Sequence, residues 1–122
     1  ENKQKLNKIV HPYLLRELRH RITKFRKTRN KKQILVVDAA LIVEWKLYKE
    51  LDKLILVTSP AEKRLQRLKN LGFSQKEAQD RIGRQVTDSR RRRYSDFVIS
   101  NDGSLKQLKD KAQVLWRELV SG

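Results

Sequence analysis

The chain has 122 residues, enough for one domain that buries roughly two thirds of its unfolded surface, and its 30 Lys and Arg against 14 Asp and Glu leave a formal charge of +16. That excess points to an anionic partner: nucleic acid, membrane headgroups or phosphorylated small molecules. With no cysteine, disulfide frameworks, thiolate zinc sites and cysteine nucleophiles are all excluded.

The first apolar series is Leu6, Ile9, Val10, Leu14, Leu18, Ile22 and Phe25, spaced by threes and fours as on one helical face. Pro12 lacks an amide donor, so the spacing predicts two helices, the second opening at His11-Pro12. The basic stretch over 24–32 has no periodicity and reads as a solvated connection. Ile34 to Val37 is a continuous aliphatic run that stops at Asp38, the pattern of a strand covered on both faces in a parallel sheet. Leu54 to Thr58 repeats it. Ser59-Pro60-Ala61-Glu62 then predicts a capping box with proline at the first helical position, and Gly72 the left-handed end of that helix.

Ser74-Gln75-Lys76-Glu77 predicts a second capped helix, thin on its apolar side, with Ala78, Ile82 and Val86. Phe97 to Ile99 is a short strand, and Ser104-Leu105-Lys106-Gln107 a third capping box. The last helix carries an apolar stripe of Leu105, Leu108, Ala112, Leu115 and Leu119. Strands joined by helices indicate a three-layer α/β fold around a parallel sheet. No apolar stretch reaches the roughly 20 residues of a spanning helix, so the expectation is a soluble cytoplasmic protein with no membrane partner.

Asp38 closes an apolar strand, where open parallel sheets gather ligand-binding groups and where a carboxylate can help hold Mg2+. The other reading of such an aspartate is a turn-former. The two polar helices carry Arg64, Arg67, Arg81 and Arg84 at helical spacings. They read either as a flap that closes on phosphates and excludes water, or as a solvated hairpin. His11 and His20 with no thiols form no metal cluster, Trp45 and Trp116 read as packing residues, and no Gly-x-x-x-x-Gly-Lys-Ser/Thr loop occurs.

Four stretches in order, "KIVHP", "LVVDAALIVE", "RL" followed by "FSQKEAQDRIGRQ", and "SDFVISNDG", resemble the dephospho-coenzyme A kinases. The resemblance runs from about Leu6 to the C-terminus. It implies a P-loop nucleoside-triphosphate-hydrolase-like sheet with a helical lid over about 60–93. The implied reaction is ATP-dependent phosphorylation of the ribose 3′-hydroxyl of dephospho-CoA, the last step of coenzyme A biosynthesis, with ATP and Mg2+. By position, His11, Pro12, Leu41 and Glu44 match the substrate side of the cleft. Arg67 and Arg81 match lid positions that approach the nucleotide phosphates, as does Gln85. Asn101 and Gly103 match the adenine-side loop, and Arg91 matches the basic position of the lid stem; Asp38, from its place at the strand end, is the candidate carboxylate for helping to hold Mg2+. Ala40 stands where the family has proline, Asn70-Leu71 where it has an arginine in a longer turn, and Ser95 where it has alanine.

The family's P-loop and its hydroxyl-activating aspartate would precede Glu1. With Glu1 at the start and no methionine, the expectation is an excerpt or a truncated form, inactive as a kinase by itself. Two other readings stand beside this one: a fragment of another small-molecule P-loop kinase, and a basic nucleic-acid-binding module. Twelve cations against two acids before Gln33 place a net +10 in the N-terminal region, which suits non-specific attraction to polyanions as well as solubility.

Overall fold

The computed structural model describes residues 2–83 and 87–121, in two compact units, Glu1–Asp52 and Lys53–Gly122. In the first unit, helix α1 spans Asn2–Thr28 and includes Pro12. The expected break at His11-Pro12 does not occur. Proline removes the bond to the Lys8 carbonyl, but both residues are exposed, so water satisfies the freed oxygen, and a cost of about 3 kcal/mol is set against a 27-residue helix. The helix also runs into the basic stretch read as a connection, ending with Arg26 and Lys27 in its last turn, where cations face the negative end of the helix dipole.

The second half of the α1 stripe is the better covered: Leu18 and Phe25 are half-buried and Ile22 is buried, whereas in the first half Val10 is half-buried and Leu6, Ile9 and Leu14 are exposed. Arg19 Nε donates to Glu50 Oε1 at 2.6 Å, and Arg26 Nη2 donates to the Glu50 carbonyl at 2.6 Å and to Asp52 Oδ1 at 3.3 Å. These bonds tie the covered half to the end of a short 3-10 helix, Leu47–Glu50, whose Leu47 is fully buried and neighbours buried Val43 in sequence.

The strand expected at Ile34–Val37 is not formed. The segment is irregular, and Ile34, Leu35 and Val36 are exposed. An aliphatic run becomes a strand only when a neighbour takes its backbone hydrogen bonds, and among the described residues no strand pairs with it.

The second unit holds a parallel pair, β1 (Ile55–Thr58) and β2 (Phe97–Ser100), in the register Ile55↔Phe97 to Thr58↔Ser100. Between them run α2 (Ala61–Asn70), α3 (Gln75–Gly83) and α4 (Asp88–Tyr94), and α5 (Leu105–Ser121) follows. The α/β class and the parallel pairing match expectation, but the sheet has two strands among the described residues. Burial of β1 alternates: Leu56 and Thr58 are buried, Ile55 and Val57 exposed. Coverage on both faces is therefore corrected to coverage on one, which is what a pleated strand with a single packed side requires.

Side-chain chemistry sets the register. The Leu54 amide donates to Asp96 Oδ2 at 2.7 Å, while the Asp96 amide donates back to the Leu54 carbonyl at 2.8 Å. This reciprocal pair lies immediately before both strands and fixes which residues face each other.

In the second unit the capped helix ends expected from the sequence are found, except at the start of α2. Gly72, at φ 98, closes α2. Its amide donates to the Lys69 carbonyl at 3.0 Å and the Phe73 amide to the Leu68 carbonyl at 3.2 Å, the paired bonds of a Schellman motif. Ser74 caps α3 through the Glu77 amide, 3.2 Å. At α5 the box is complete: the Gln107 amide donates to Ser104 Oγ at 3.2 Å and the Ser104 amide to Gln107 Oε1 at 2.8 Å. The exception is α2, where Pro60 is the cap residue and no side-chain cap bond forms; the Ser59 hydroxyl instead accepts from Arg64. Along α5, Leu115 is buried and Leu108 and Leu119 half-buried, whereas Leu105 and Ala112 are exposed. No helix among the described residues is long and apolar enough to cross a membrane.

Candidate functional site

Parallel strands end on the same side, so the groups that follow them share one edge. Here that edge is formed by Thr58, Ser100 and the loop from Asn101 to Ser104. Thr58 is buried, its Oγ1 lies 3.5 Å from Ser100 Oγ, and its carbonyl accepts from the Asn101 amide at 2.6 Å. The loop thus leaves β2 while still bonded to β1.

Two cationic side chains from different helices grip this loop. Arg67 Nη2 of α2 donates to the Asn101 carbonyl at 3.2 Å. Lys111 Nζ of α5 donates to the Ser100 carbonyl at 2.7 Å and to Asp102 Oδ1 at 3.1 Å. The result is a short backbone segment between a guanidinium and an ammonium, at the carboxyl ends of the strands. An anionic group approaching this edge meets the positive charge of Arg67 and Lys111, the latter partly offset by the Asp102 carboxylate.

The hydrogen bond from Lys111, helped by its charge and by that of Lys63, holds the Asp102 carboxyl below its ordinary value of 3.8. A lowered folded-state pKa means that the contribution of the pair is present above about pH 4 and is lost as pH falls through the lower folded value. Both partners are about half exposed, at 43% and 52%, so salt should weaken it. A carbon-detected titration of the Asp102 carboxyl is expected to give a midpoint below 3.8 that returns to the ordinary range in Lys111→Met.

Gly103 has a steric reason of its own. A Cβ built there would fall on Gln107 Oε1, the atom that accepts from the Ser104 amide. Gly103→Ala should therefore displace the flexible Gln107 side chain and open the capping box, costing about 1 kcal/mol. In urea unfolding, Gly103→Ala and Gln107→Ala should each lower stability and the double variant should lose little more than either, since both remove one bond.

The remaining residues singled out in the sequence are placed as follows. Arg67 and Asn101 are brought together by the bond just described. Arg81 lies over the Phe73 ring, its guanidinium carbon 4.2 Å from the ring centroid, a cation–π contact that ties α3 back to the turn before it. Arg91 is half-buried on α4, whereas Arg90, Arg92 and Arg93 are exposed, as expected when consecutive residues fan around a helix. Gln85 lies outside the described residues. In the first unit His11 packs edge-on against Trp45, ring centroids 5.3 Å apart at 71°. Leu41 and Glu44 are half-buried, and Pro12 and Asp38 exposed. Among the described residues no group of three His, Cys, Asp or Glu is placed to hold a metal ion.

Sequence reasoning passed over Thr58, Lys111 and Phe73. Lys111 carried a signal: it stands one turn beyond Gln107 of the capping box, on the side of α5 that returns to the loop. Thr58, a polar residue ending an aliphatic strand, carried one too.

A family model described as dephospho-CoA kinase matches residues 1–107. The chain is 36% identical over 122 residues to a dephospho-CoA kinase of Corynebacterium diphtheriae, covering 99% of this chain and 60% of that protein. It is 33% identical over 117 residues to one of Frankia casuarinae, covering 96% and 49%, and 31% identical over 120 residues to one of Aquifex aeolicus, covering 98% and 59%. The chain thus spans about half to three fifths of the length of these relatives. Since the family model matches residues 1–107 of the 122, the chain belongs to the dephospho-CoA kinase family.

Proposed function

We propose that these residues form the later part of a cytoplasmic kinase that transfers the γ-phosphoryl group of ATP to the ribose 3′-hydroxyl of dephospho-CoA, completing coenzyme A. The observation that carries this reading is the meeting of Arg67 with the Asn101 carbonyl at the carboxyl ends of β1 and β2. A phosphate-directed arginine and a base-reading loop belong side by side in a nucleotide site of a parallel α/β fold.

The roles follow from the chemistry of each side chain. In the transfer the bond from the γ-phosphorus to the β–γ bridging oxygen breaks, and a bond to the 3′-oxygen forms. Charge spreads over the phosphoryl oxygens, and Arg67 and Arg81 neutralise it. Arg81 reaches the phosphates by leaving the Phe73 ring, a contact of about 0.5–1 kcal/mol at an exposed site. Gln85 and Arg91 steady the nucleotide from the lid stem, and Asn101 and Gly103 present loop backbone to the adenine. His11, Pro12, Leu41 and Glu44 line the dephospho-CoA side, with α2, α3 and α4 as the three-layer fold's lid.

Mg2+ suits this set only as an ion carried by the nucleotide. It keeps most of its water and binds through phosphates and one or two carboxylates, so Asp38 alone is a sufficient contribution from this chain. The phosphate loop and the base that takes the hydroxyl proton are proposed to come from outside these 122 residues, which contain no Gly-x-x-x-x-Gly-Lys-Ser/Thr.

The test is phosphoryl transfer. A protein spanning the full length of its relatives should convert dephospho-CoA to coenzyme A with ATP, followed by chromatography of the product, and the 122-residue chain alone should not. Absence of transfer by the longer protein would overturn the assignment of substrate, and transfer by the short chain would overturn the placement of the phosphate loop.

A further inference from the structure

Arg64, one of the arginines spaced along the helical insertion, bonds to Ser59 and to Asp88 within the protein. Its Nε donates to the Ser59 carbonyl at 2.9 Å and to Ser59 Oγ at 3.3 Å, and its Nη2 forms an ion pair with Asp88 Oδ2. Ser59 is the first residue after β1, and Asp88 lies in the first turn of α4, the helix that returns to β2. One planar guanidinium therefore joins the exit and the return of the insertion, with Arg64 and Asp88 24 residues apart in the chain.

The pair is also more sheltered than that of Lys111 and Asp102, its side chains 27% and 29% exposed against 43% and 52%. We propose that Arg64 and Asp88 are positioning residues: they clasp the base of the helical insertion and so fix where Arg67 stands. Arg67 follows Arg64 by three residues on α2, on the same face, and it is the residue that reaches Asn101. Arg91 follows Asp88 by three residues on α4, and is the half-buried member of the arginine run. The clasp thus holds the roots of the two helices from which Arg67 and Arg91 project. The fork geometry matters, because binding Ser59 and Asp88 at once takes separate N–H groups held in one plane, which lysine does not have.

The inference about Arg67 rests on the kinase reading; the clasp itself does not. The experiment therefore has two readouts on Arg64→Lys, Arg64→Met, Asp88→Asn and the Arg64→Met/Asp88→Asn pair. By hydrogen–deuterium exchange on the chain, the Arg90 and Arg91 amides at the start of α4 should exchange about fivefold faster in each single variant, and no faster in the double variant. Unchanged exchange, or independent effects that multiply, would overturn the clasp. In the longer protein, Asp88→Asn should lower kcat about tenfold on the native background and leave an Arg67→Ala background unaltered, since it acts through Arg67. An equal loss on both backgrounds would overturn the positioning role. If the native protein transfers no phosphoryl group, the kinase reading falls and exchange alone decides the clasp.

Discussion

Asp96→Ala is expected to lower the unfolding free energy by about 1 kcal/mol, the cost of removing the acceptor of a part-buried backbone donor. The donor is the amide of Leu54, a buried residue, and the acceptor is Asp96 Oδ2 at 2.7 Å. Two further bonds to the Leu54 carbonyl, from the Asp96 and Phe97 amides at 2.8 and 3.3 Å, would survive the substitution. The strand pair should therefore form with a weakened start rather than fail to form. Asp96→Asn separates the causes. It keeps a side-chain oxygen facing the amide and gives up only the charge, so it should retain most of the stability. Urea midpoints give the free energies, and exchange of the Leu54 amide gives the local effect. Equal losses in Ala and Asn would show that charge, rather than the bond, holds the register. The consequence reaches the site, because the register that Asp96 sets at one end of β2 places Asn101 against Thr58 at the other.

What the sequence conveyed was mostly local. Ser104 with Gln107, Ser74, and Gly72 each specify a helix end through bonds made within a few residues, and each is found in the structure. Pro12 shows the limit of local rules, since its cost is fixed but its effect depends on the length of helix around it. Ile34–Val37 shows another: its aliphatic run is a strand only beside a partner, and pairing is not a property of the run. At the candidate site the residue types were legible and their partners were not. Arg67 stood out by spacing and Asn101 by motif, yet nothing in one dimension joined them. Arg64 had the same spacing as Arg67 and a different fate, because Ser59 and Asp88 lie within its reach. Arginines alike in sequence are thus separated by what the fold puts beside them.

That separation makes Arg67→Ala the most informative substitution in the proposed reaction. In the longer protein it should lower kcat about 100-fold, the scale of losing one group aimed at transition-state charge. Arg67→Lys should recover part of this, because it restores charge without the fork. Arg91→Ala should cost less than Arg67→Ala and more than Arg92→Ala, whose side chain is exposed on α4 and whose loss should change turnover by no more than about twofold. Arg67 also holds the Asn101 carbonyl at 3.2 Å, so a second route for its removal to act is by loosening the loop from Asn101 to Ser104. The two causes leave different kinetic traces. Loss of charge stabilisation lowers kcat and kcat/KM together, whereas a loosened loop raises KM for ATP with kcat nearly unchanged. Gly103→Ala supplies the loop-only comparison, since it disturbs the same loop through Gln107 and leaves the guanidinium in place. If Arg67→Ala raises KM alone, as Gly103→Ala should, then Arg67 is a brace for the loop and the phosphoryl charge must be met by Arg81.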